Sequence, residues 1–197
     1  MKPYILIVFI FFSLNLFANP KDLNLYKNSN GQYNFFVEIP AGTKQKWEVN
    51  IDGILEWEEK NGEKRVVKFL GYPGNYGFIP QTLGGDNDPV DVIDLEESVN
   101  RGEIVSRKII GGMYFEDKKE IDIKLIATDE KGIFSDYESI EQLILEKPSV
   151  MEILKSWFMS YKKPGKMIFY RYISKQESQE IIENAHKKWA QSKEPKD

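Results

Sequence analysis

The stretch Gly84-Gly85-Asp86-Asn87-Asp88-Pro89-Val90-Asp91-Val92-Ile93-Asp94-Leu95 decides how this chain folds and what it binds. Its apolar residues, from residue 90 onward, predict a largely buried strand. Asp91 lies inside that strand, and Asp86 and Asp88 precede it. A carboxylate within an apolar strand is costly unless a positive group meets it, and neighbouring aspartates repel one another unless cations join them. The stretch therefore predicts bound metal ions.

Composition excludes several classes of chemistry for the 197-residue chain. The chain has no cysteine and a single histidine, His186, which is predicted to be a surface residue on the last helix. A cysteine nucleophile, a Cys or His zinc site and a histidine-based triad therefore lack their parts. A net charge of −4 argues against nucleic acid as a partner. Any chemistry must use carboxylates, Lys, Arg and Tyr with hard metal ions.

The N-terminus has the pattern of a targeting segment. Lys2 precedes an apolar run over residues 4–17, which ends at the small residue Ala18. This pattern predicts a signal peptide over residues 1–18, and hence export to the periplasm or the extracellular space. Leu16 fits the cleavage pattern poorly, so an uncleaved membrane anchor stays an alternative. Residues 19–197 are expected to form one domain with its core at about 33–190.

Alternating and β-branched segments predict a mainly β fold with helices towards the C-terminus. Turn signals at Asp52-Gly53 and Asn61-Gly62 predict a meander, and Gly111-Gly112 predicts a bulge. Residues 71–80 are expected to form a rigid loop whose tyrosines face a ligand or, alternatively, pack as a tyrosine corner in the core. The predicted strands are 33–39, 46–51, 54–60, 65–70, 90–95, 104–114, 121–126 and 167–173.

Three capping boxes predict helices in the last third of the chain: Ser139 with Gln142, Ser149 with Glu152, and Ser174 with Glu177. The second is expected to open a helix with an apolar stripe towards the core. That stripe consists of Val150, Ile153, Leu154, Trp157 and Tyr161. Three lysines follow this helix between residues 162 and 166, where cations also favour a helix C-terminus.

The charged and hydroxylic groups suit a compact anionic substrate held by metal ions. Oxygen-only ligands select Mg²⁺, Mn²⁺ or Ca²⁺ over zinc or copper. Ordinary solvated strand faces and a plain surface ion pair between Asp122 and Lys124 stay open as alternatives, since sequence spacing does not establish convergence. The candidates are the acids Glu38, Asp86, Asp88, Asp91, Asp117 and Asp122, the cations Lys46, Arg65, Lys124, Lys162 and Lys166, and the hydroxyls of Tyr72, Tyr76 and Tyr161.

Several segments resemble soluble family I inorganic pyrophosphatases in their order and spacing. They are Val37-Glu38-Ile39-Pro40, Lys46-Trp47-Glu48, Tyr72-Pro73-Gly74-Asn75-Tyr76-Gly77 and Gly85-Asp86-Asn87-Asp88-Pro89-Val90-Asp91, followed by Asp117, Asp122, Lys124 and Tyr161-Lys162. The resemblance implies a twisted five-stranded OB-like barrel flanked by C-terminal helices. Together with the predicted signal peptide it indicates an exported bacterial member, although most members of the family resemble cytoplasmic enzymes. It also implies hydrolysis of pyrophosphate to two phosphates with several Mg²⁺ ions, for which Mn²⁺ could substitute, and a possible homo-oligomer, either a hexamer or a dimer.

The resemblance also implies roles for the candidate residues. Asp86, Asp91 and Asp122 resemble the ligands of the tightest metal, Asp117 a ligand of substrate-borne metals, and Glu38 a more distant acidic contact. Asp88 looks like the base that deprotonates a metal-bridging water, and Tyr72 like a proton donor. Lys46, Arg65, Tyr76, Lys124, Tyr161, Lys162 and, more loosely, Lys166 resemble the phosphate-binding groups.

The chain departs from the family pattern after Asp117, where Lys118-Lys119-Glu120 stands in place of Glu-Gly-Glu. This change is expected to alter metal loading or the shape of the loop.

Two other functions stay open at this point. One is hydrolysis of short polyphosphates or nucleotides outside the cytoplasm, and the other is non-catalytic binding of divalent cations or phosphate.

Overall fold

The structure, a computed structural model, describes residues 18–25, 31–163 and 165–194. Apart from Ala18, the predicted signal peptide lies outside the described residues. Within the described ranges, no helix is both long enough and apolar enough to cross a membrane.

The strands are β1 (Tyr33–Ile39), β2 (Trp47–Val49), β3 (Leu55–Trp57), β4 (Glu59–Lys60), β5 (Glu63–Lys64), β6 (Asn75–Phe78), β7 (Asp91–Asp94), β8 (Ile104–Asp117), β9 (Glu120–Thr128) and β10 (Met167–Ile173). The helices are α1 (Ile140–Glu146), α2 (Pro148–Ser160) and α3 (Lys175–Ser192), preceded by a short 3-10 turn at Pro20–Asp22.

Five strands close into a ring, which confirms the predicted OB-like barrel. The main sheet runs β1-β6-β7-β9-β8-β10, and β1 also pairs with β8, so the first five strands of that order form a closed loop. β7 and β9 pair in parallel and place Asp91 opposite Lys124. Closure removes the free sheet edges within the ring, and β10 extends β8 on the outside.

The segment predicted as a loop at residues 71–80 is in part a strand, because residues 75–78 form β6 in the barrel wall. Gly77 explains why this segment fits there. A Cβ on Gly77 would lie 1.9 Å from the carbonyl oxygen of Phe36, so only glycine lets β6 approach β1 this closely. Tyr72 and Tyr76 are both buried, as expected for the alternative in which the tyrosines pack in the core.

The meander is confirmed as two short hairpins, β2–β3 and β4–β5. Asn61 and Gly62 both have positive φ, as a two-residue hairpin turn of this kind requires. The strand predicted at 65–70 is wrong. Only Val66 forms a bridge, to Gln45, and the chain then bends away with Leu70 67% exposed.

The long strand β8 confirms the bulge that the glycine pair predicts, since its register to β9 shifts between Ile109 and Gly111. Ser139 and Ser174 cap α1 and α3 as predicted, each accepting a hydrogen bond from the backbone three residues on. The cap predicted at Ser149 is wrong, because α2 begins at Pro148. Proline suits the first helical position, since the backbone N–H that it lacks would have no partner within the helix. The apolar stripe predicted for α2 is confirmed at Leu154 and Trp157 but wrong at Ile153, which is 61% exposed, and the buried face also includes Met151 and Phe158.

Candidate active site

An open cavity of about 250 Å³ lies beside β7 and β9. It brings together all the candidate residues predicted from the sequence except Tyr72 and Lys166. Its charged lining comprises eight carboxylates, of Glu38, Glu48, Asp86, Asp88, Asp91, Asp117, Glu120 and Asp122, and five cations, of Lys21, Lys46, Arg65, Lys124 and Lys162. Convergence, which sequence spacing could not establish, is therefore observed.

Asp91, Asp122 and Lys124, here termed the sheet floor, are fixed by strand register. Asp91 pairs with Lys124 across the parallel β7–β9 ladder, and Asp122 is two residues before Lys124 on the same face of β9. Lys124 is only 4% exposed. Its ammonium group forms ion pairs with both aspartates and donates a hydrogen bond to the Tyr76 hydroxyl at 3.1 Å. Burial disfavours its charge, but Asp91 and Asp122 outweigh that cost and raise the pKa of Lys124.

Asp86 and Asp88, here termed the loop mouth, are held by turns rather than by a ladder. The Gly84 N–H donates to the Asp88 carbonyl at 2.7 Å, and the Asp88 N–H donates to Asp86 Oδ1 at 3.1 Å. Lys188 on α3 ties this loop from outside, since its Nζ lies 2.5 Å from the Gly84 carbonyl oxygen and 3.3 Å from Asn87 Oδ1.

The Asp88 side chain is 72% exposed, so it is accessible to solvent at the cavity. Lys21 approaches it to 3.8 Å. Partial burial raises the pKa of the Asp88 carboxyl, Lys21 opposes that rise, and Asp86 and Asp91 add to it. A carboxylate with a raised pKa at an open site is suited to accept a proton.

Three further cations of the cavity, here termed the cationic wall, each pair with a carboxylate. Lys46 pairs with Glu48, Arg65 with Glu58, and Lys162 Nζ lies 2.7 Å from Asp117 Oδ2. For Lys46, burial opposes the charge, but Tyr72, Glu48 and Glu38 outweigh it and raise the pKa. These side chains therefore stay positively charged and can face an anionic ligand.

Glu38 lies in the cavity wall on β1, and its Oε1 accepts the Val49 N–H at 2.7 Å. The residue is only 6% exposed, and burial raises the pKa of its carboxyl to about 8 despite the nearby Lys46. Through this hydrogen bond, Glu38 links β1 to β2.

Two predicted residues are not part of the cavity lining. Tyr72 lies behind the wall, with its ring 4.6 Å from Trp157 and 5.2 Å from Tyr76, and burial raises the pKa of its hydroxyl. Lys166 is exposed and does not line the cavity. Their roles as proton donor and phosphate contact stay predictions.

Three charged residues that line the cavity were not among the candidates predicted from the sequence. Glu48 shares a strand face with Lys46, and Glu120 follows the charged turn, so both had a signal in the alternation and charge pattern. Lys21 had none, because it lies in the segment before the first strand and reaches the cavity through the 3-10 turn.

The donor set fits divalent metal ions. Among the residues that the structure describes, no three His, Cys, Asp or Glu side chains are already gathered around one point, because Lys124 lies between Asp91 and Asp122. The carboxylates nevertheless outnumber the cations, and they offer oxygen ligands only. Asp117 Oδ1 is buried without a hydrogen-bond partner, as expected of an oxygen that binds a cation. Asp86, Asp91, Asp122 and Asp117 are the residues that would hold the ions.

The Lys118-Lys119 departure preserves a tight turn between β8 and β9. Both residues have positive φ, 54° and 72°. Glycine adopts this conformation without cost, whereas a lysine pays about 1 kcal/mol for it. The turn is therefore strained at both lysines, and it places two cations directly after Asp117.

Comparisons with known proteins agree with this geometry. The family model described as inorganic pyrophosphatase matches residues 35–190. The chain is 34% identical over 158 residues to an inorganic pyrophosphatase of Nanoarchaeum equitans, which covers 78% of this chain and 95% of that protein. It is 36% identical over 156 residues to an inorganic pyrophosphatase of Aquifex pyrophilus, covering 75% and 83%. The solved structure of inorganic pyrophosphatase from Schistosoma japonicum matches with a TM-score of 0.81 at 26% identity, covering 87% of this chain and 70% of that one.

Proposed function

The chain belongs to the inorganic pyrophosphatase family, and on that premise we propose how its cavity hydrolyses pyrophosphate to two phosphates. It is an inorganic diphosphatase, a hydrolase that cleaves a phosphoanhydride. One observation carries the assignment. A single cavity gathers eight carboxylates and five lysine or arginine side chains.

Hydrolysis of pyrophosphate uses both kinds of charged side chain. Several Mg²⁺ ions, with Mn²⁺ as a substitute, would neutralise phosphate oxygens and lower the pKa of the attacking water. Asp88 accepts a proton from that water. The water oxygen forms a new bond to one phosphorus, the bond from that phosphorus to the bridging oxygen breaks, and the bridging oxygen leaves on the second phosphate. Lys46, Arg65 and Lys162 stabilise the charge on this leaving phosphate.

Phosphate release from pyrophosphate tests the function. The purified chain is expected to release two phosphates per pyrophosphate with Mg²⁺ and none with excess EDTA, because the carboxylates would then lack their ions. A non-catalytic binder of cations or phosphate would bind both ligands and release no phosphate. Absence of release across a range of Mg²⁺ and Mn²⁺ concentrations would contradict the proposal.

Export is a separate part of the proposal. Lys2, the apolar run over residues 4–17 and Ala18 support a signal peptide, and thus a bacterial member that acts in the periplasm or outside the cell. N-terminal sequencing of the protein made by its own secretion route is expected to begin at Asn19. An intact Met1 would contradict cleavage and favour the membrane anchor. Light scattering on the mature chain would test whether it forms a hexamer or a dimer.

A further inference from the structure

Lys21 is the cation of the cavity that lies outside the segment matched by the family model. It belongs to the short 3-10 turn at Pro20–Asp22, before residue 35, where that match begins. Its side chain is 23% exposed and lines the cavity next to the loop mouth. Holding a long, flexible side chain in one place costs conformational entropy, so the surrounding structure must fix this lysine.

The backbone of Lys21 is fixed from both sides. Its N–H donates to Asn19 Oδ1 at 3.0 Å, and its carbonyl oxygen accepts the Gln81 N–H at 2.7 Å. Gln81 lies between the end of β6 and the loop mouth. The turn that carries Lys21 is therefore hydrogen-bonded to the chain that leads into Asp86 and Asp88.

Helix α3 anchors both the turn and the loop mouth. The Trp189 indole N–H donates to Asp22 Oδ1 at 3.3 Å, and Lys193 Nζ lies 2.7 Å from the same oxygen. Lys188, which is next to Trp189 on the helix, donates to the Gly84 carbonyl oxygen of the loop mouth. The same end of α3 thus fixes the position of the 3-10 turn relative to the loop mouth.

Lys21 and Asp88 meet at the opening of the cavity. Lys21 Nζ lies 3.8 Å from Asp88 Oδ1, and among the residues that the structure describes no other cation pairs with this carboxylate. The cations of the cationic wall, in contrast, donate hydrogen bonds to their carboxylates. At 3.8 Å an ammonium attracts a carboxylate without occupying one of its hydrogen-bond acceptors. The Asp88 oxygens therefore stay open to water, as a base requires.

We propose that Lys21 is a positioning residue for the reaction, which directs the exposed Asp88 carboxylate towards the attacking water. The inference rests on the proposed function, since it takes Asp88 as the base. An exposed aspartate side chain otherwise samples several staggered rotamers, of which only some face the cavity. A fixed charge beside the carboxylate favours one of them. An effect on orientation of this kind changes kcat rather than substrate binding.

The test measures kcat and KM for pyrophosphate with Mg²⁺ in the purified chain. Lys21→Met keeps a long side chain without its charge, and it is expected to lower kcat about 5-fold and to change KM less than 2-fold. Lys21→Arg restores the charge and is expected to keep kcat within about 2-fold of the wild type. Lys60→Met is the matched control, since Lys60 is exposed on the β4–β5 hairpin and does not line the cavity. It is expected to change neither value more than 2-fold.

Asp22→Ala separates positioning from a purely structural role, because it releases the 3-10 turn from α3 without removing a group from the cavity. It is expected to lower kcat about 3-fold. The double variant Lys21→Met/Asp22→Ala is expected to match Lys21→Met within about 2-fold, because Asp22 acts only through Lys21. Independent structural effects would instead multiply to a loss of about 15-fold.

Three results would overturn the inference: an unchanged kcat in Lys21→Met, a raised KM at unchanged kcat, or losses that multiply in the double variant. The raised KM would make Lys21 a phosphate-binding group. If Lys21→Met shifts the urea midpoint of unfolding, Lys21→Gln replaces it with the same expected values. Failure of the wild type to cleave pyrophosphate would instead contradict the proposed function, so the two failures are distinguishable.

Discussion

The sheet floor and the loop mouth hold the central aspartates of the cavity by different physical means. On the floor, Asp91 and Lys124 face each other because two strands pair in a fixed register, and the charges neutralise each other while largely buried. At the mouth, Asp88 is exposed and is positioned by turn hydrogen bonds and by a lysine from α3. The fixed position of Asp91 suits a residue that holds an ion, whereas the exposure of Asp88 suits a residue that must exchange a proton with solvent.

Lys124→Met is expected to have the largest effect, because it removes the cation of the sheet floor. Asp91 and Asp122 would then repel each other in a partly buried site, and the free energy of unfolding should fall by about 3 kcal/mol in EDTA. Activity should fall at least about 100-fold, since a charge that stabilises the transition state is lost. Urea unfolding with and without Mg²⁺ measures the first effect.

The expected result for Lys124→Met is that Mg²⁺ restores part of the lost stability, because the ion would supply the missing positive charge. A loss that is identical in EDTA and in Mg²⁺ would contradict the view that these aspartates bind metal.

Glu38→Gln tests a second acid held by a strand. Burial raises the pKa of Glu38 to about 8, so the folded state favours the protonated form, and this stabilisation is lost as the pH rises from about 4.5 through about 8. Relative to Glu38→Gln, which does not titrate, the wild type should lose up to about 5 kcal/mol across that range in EDTA. Urea unfolding at a series of pH values measures the difference.

Glu63→Gln serves as the control for this titration, because Glu63 is exposed on the β4–β5 hairpin. Parallel pH profiles of the wild type and Glu38→Gln would show that the buried carboxyl does not titrate as proposed.

Lys188→Met is expected to have the smallest effect, because it loosens only the loop mouth. The free energy of unfolding should change by less than about 0.5 kcal/mol, since the side chain is exposed. Activity should fall about 3- to 10-fold, because the loop that positions Asp88 loses its tie to α3. Lys187→Met on the same helix is the matched control, and an equal effect of both variants would contradict a role for this tie.

Strand periodicity predicted which residues of the sheet floor share a face. Asp91, Asp122 and Lys124 lie on alternating strands, where period and burial fix which side chains share a face. The barrel itself followed from the resemblance, because closure by the β1–β8 pairing joins residues far apart in sequence. The segment at 75–78 was mistaken for a loop, since the glycines and proline that suggest turns also permit the close approach of β6 to β1.

Other features depend on tertiary contacts that local patterns do not contain. Residues 65–70 include the β-branched pair Val66-Val67 that is typical of a strand, but beyond Val67 they lack a neighbouring strand and bend. Ser149 has the spacing of a capping box, yet the helix begins at Pro148, two residues before the start that such a cap predicts. Lys21 reaches Asp88 from a segment without periodicity, so no pattern could place it.

The most direct test of the account compares Asp88→Asn with Asp91→Asn in two measurements on the same samples, Mg²⁺ binding by calorimetry and phosphate release from pyrophosphate. Asp88→Asn is expected to bind Mg²⁺ within about 3-fold of the wild type while turnover falls at least about 100-fold, because Asp88 moves a proton rather than holding an ion. Asp91→Asn is expected to lose both. Near-wild-type turnover in Asp88→Asn, or unchanged Mg²⁺ binding in Asp91→Asn, would contradict the division of roles between Asp88 at the loop mouth and Asp91 on the sheet floor.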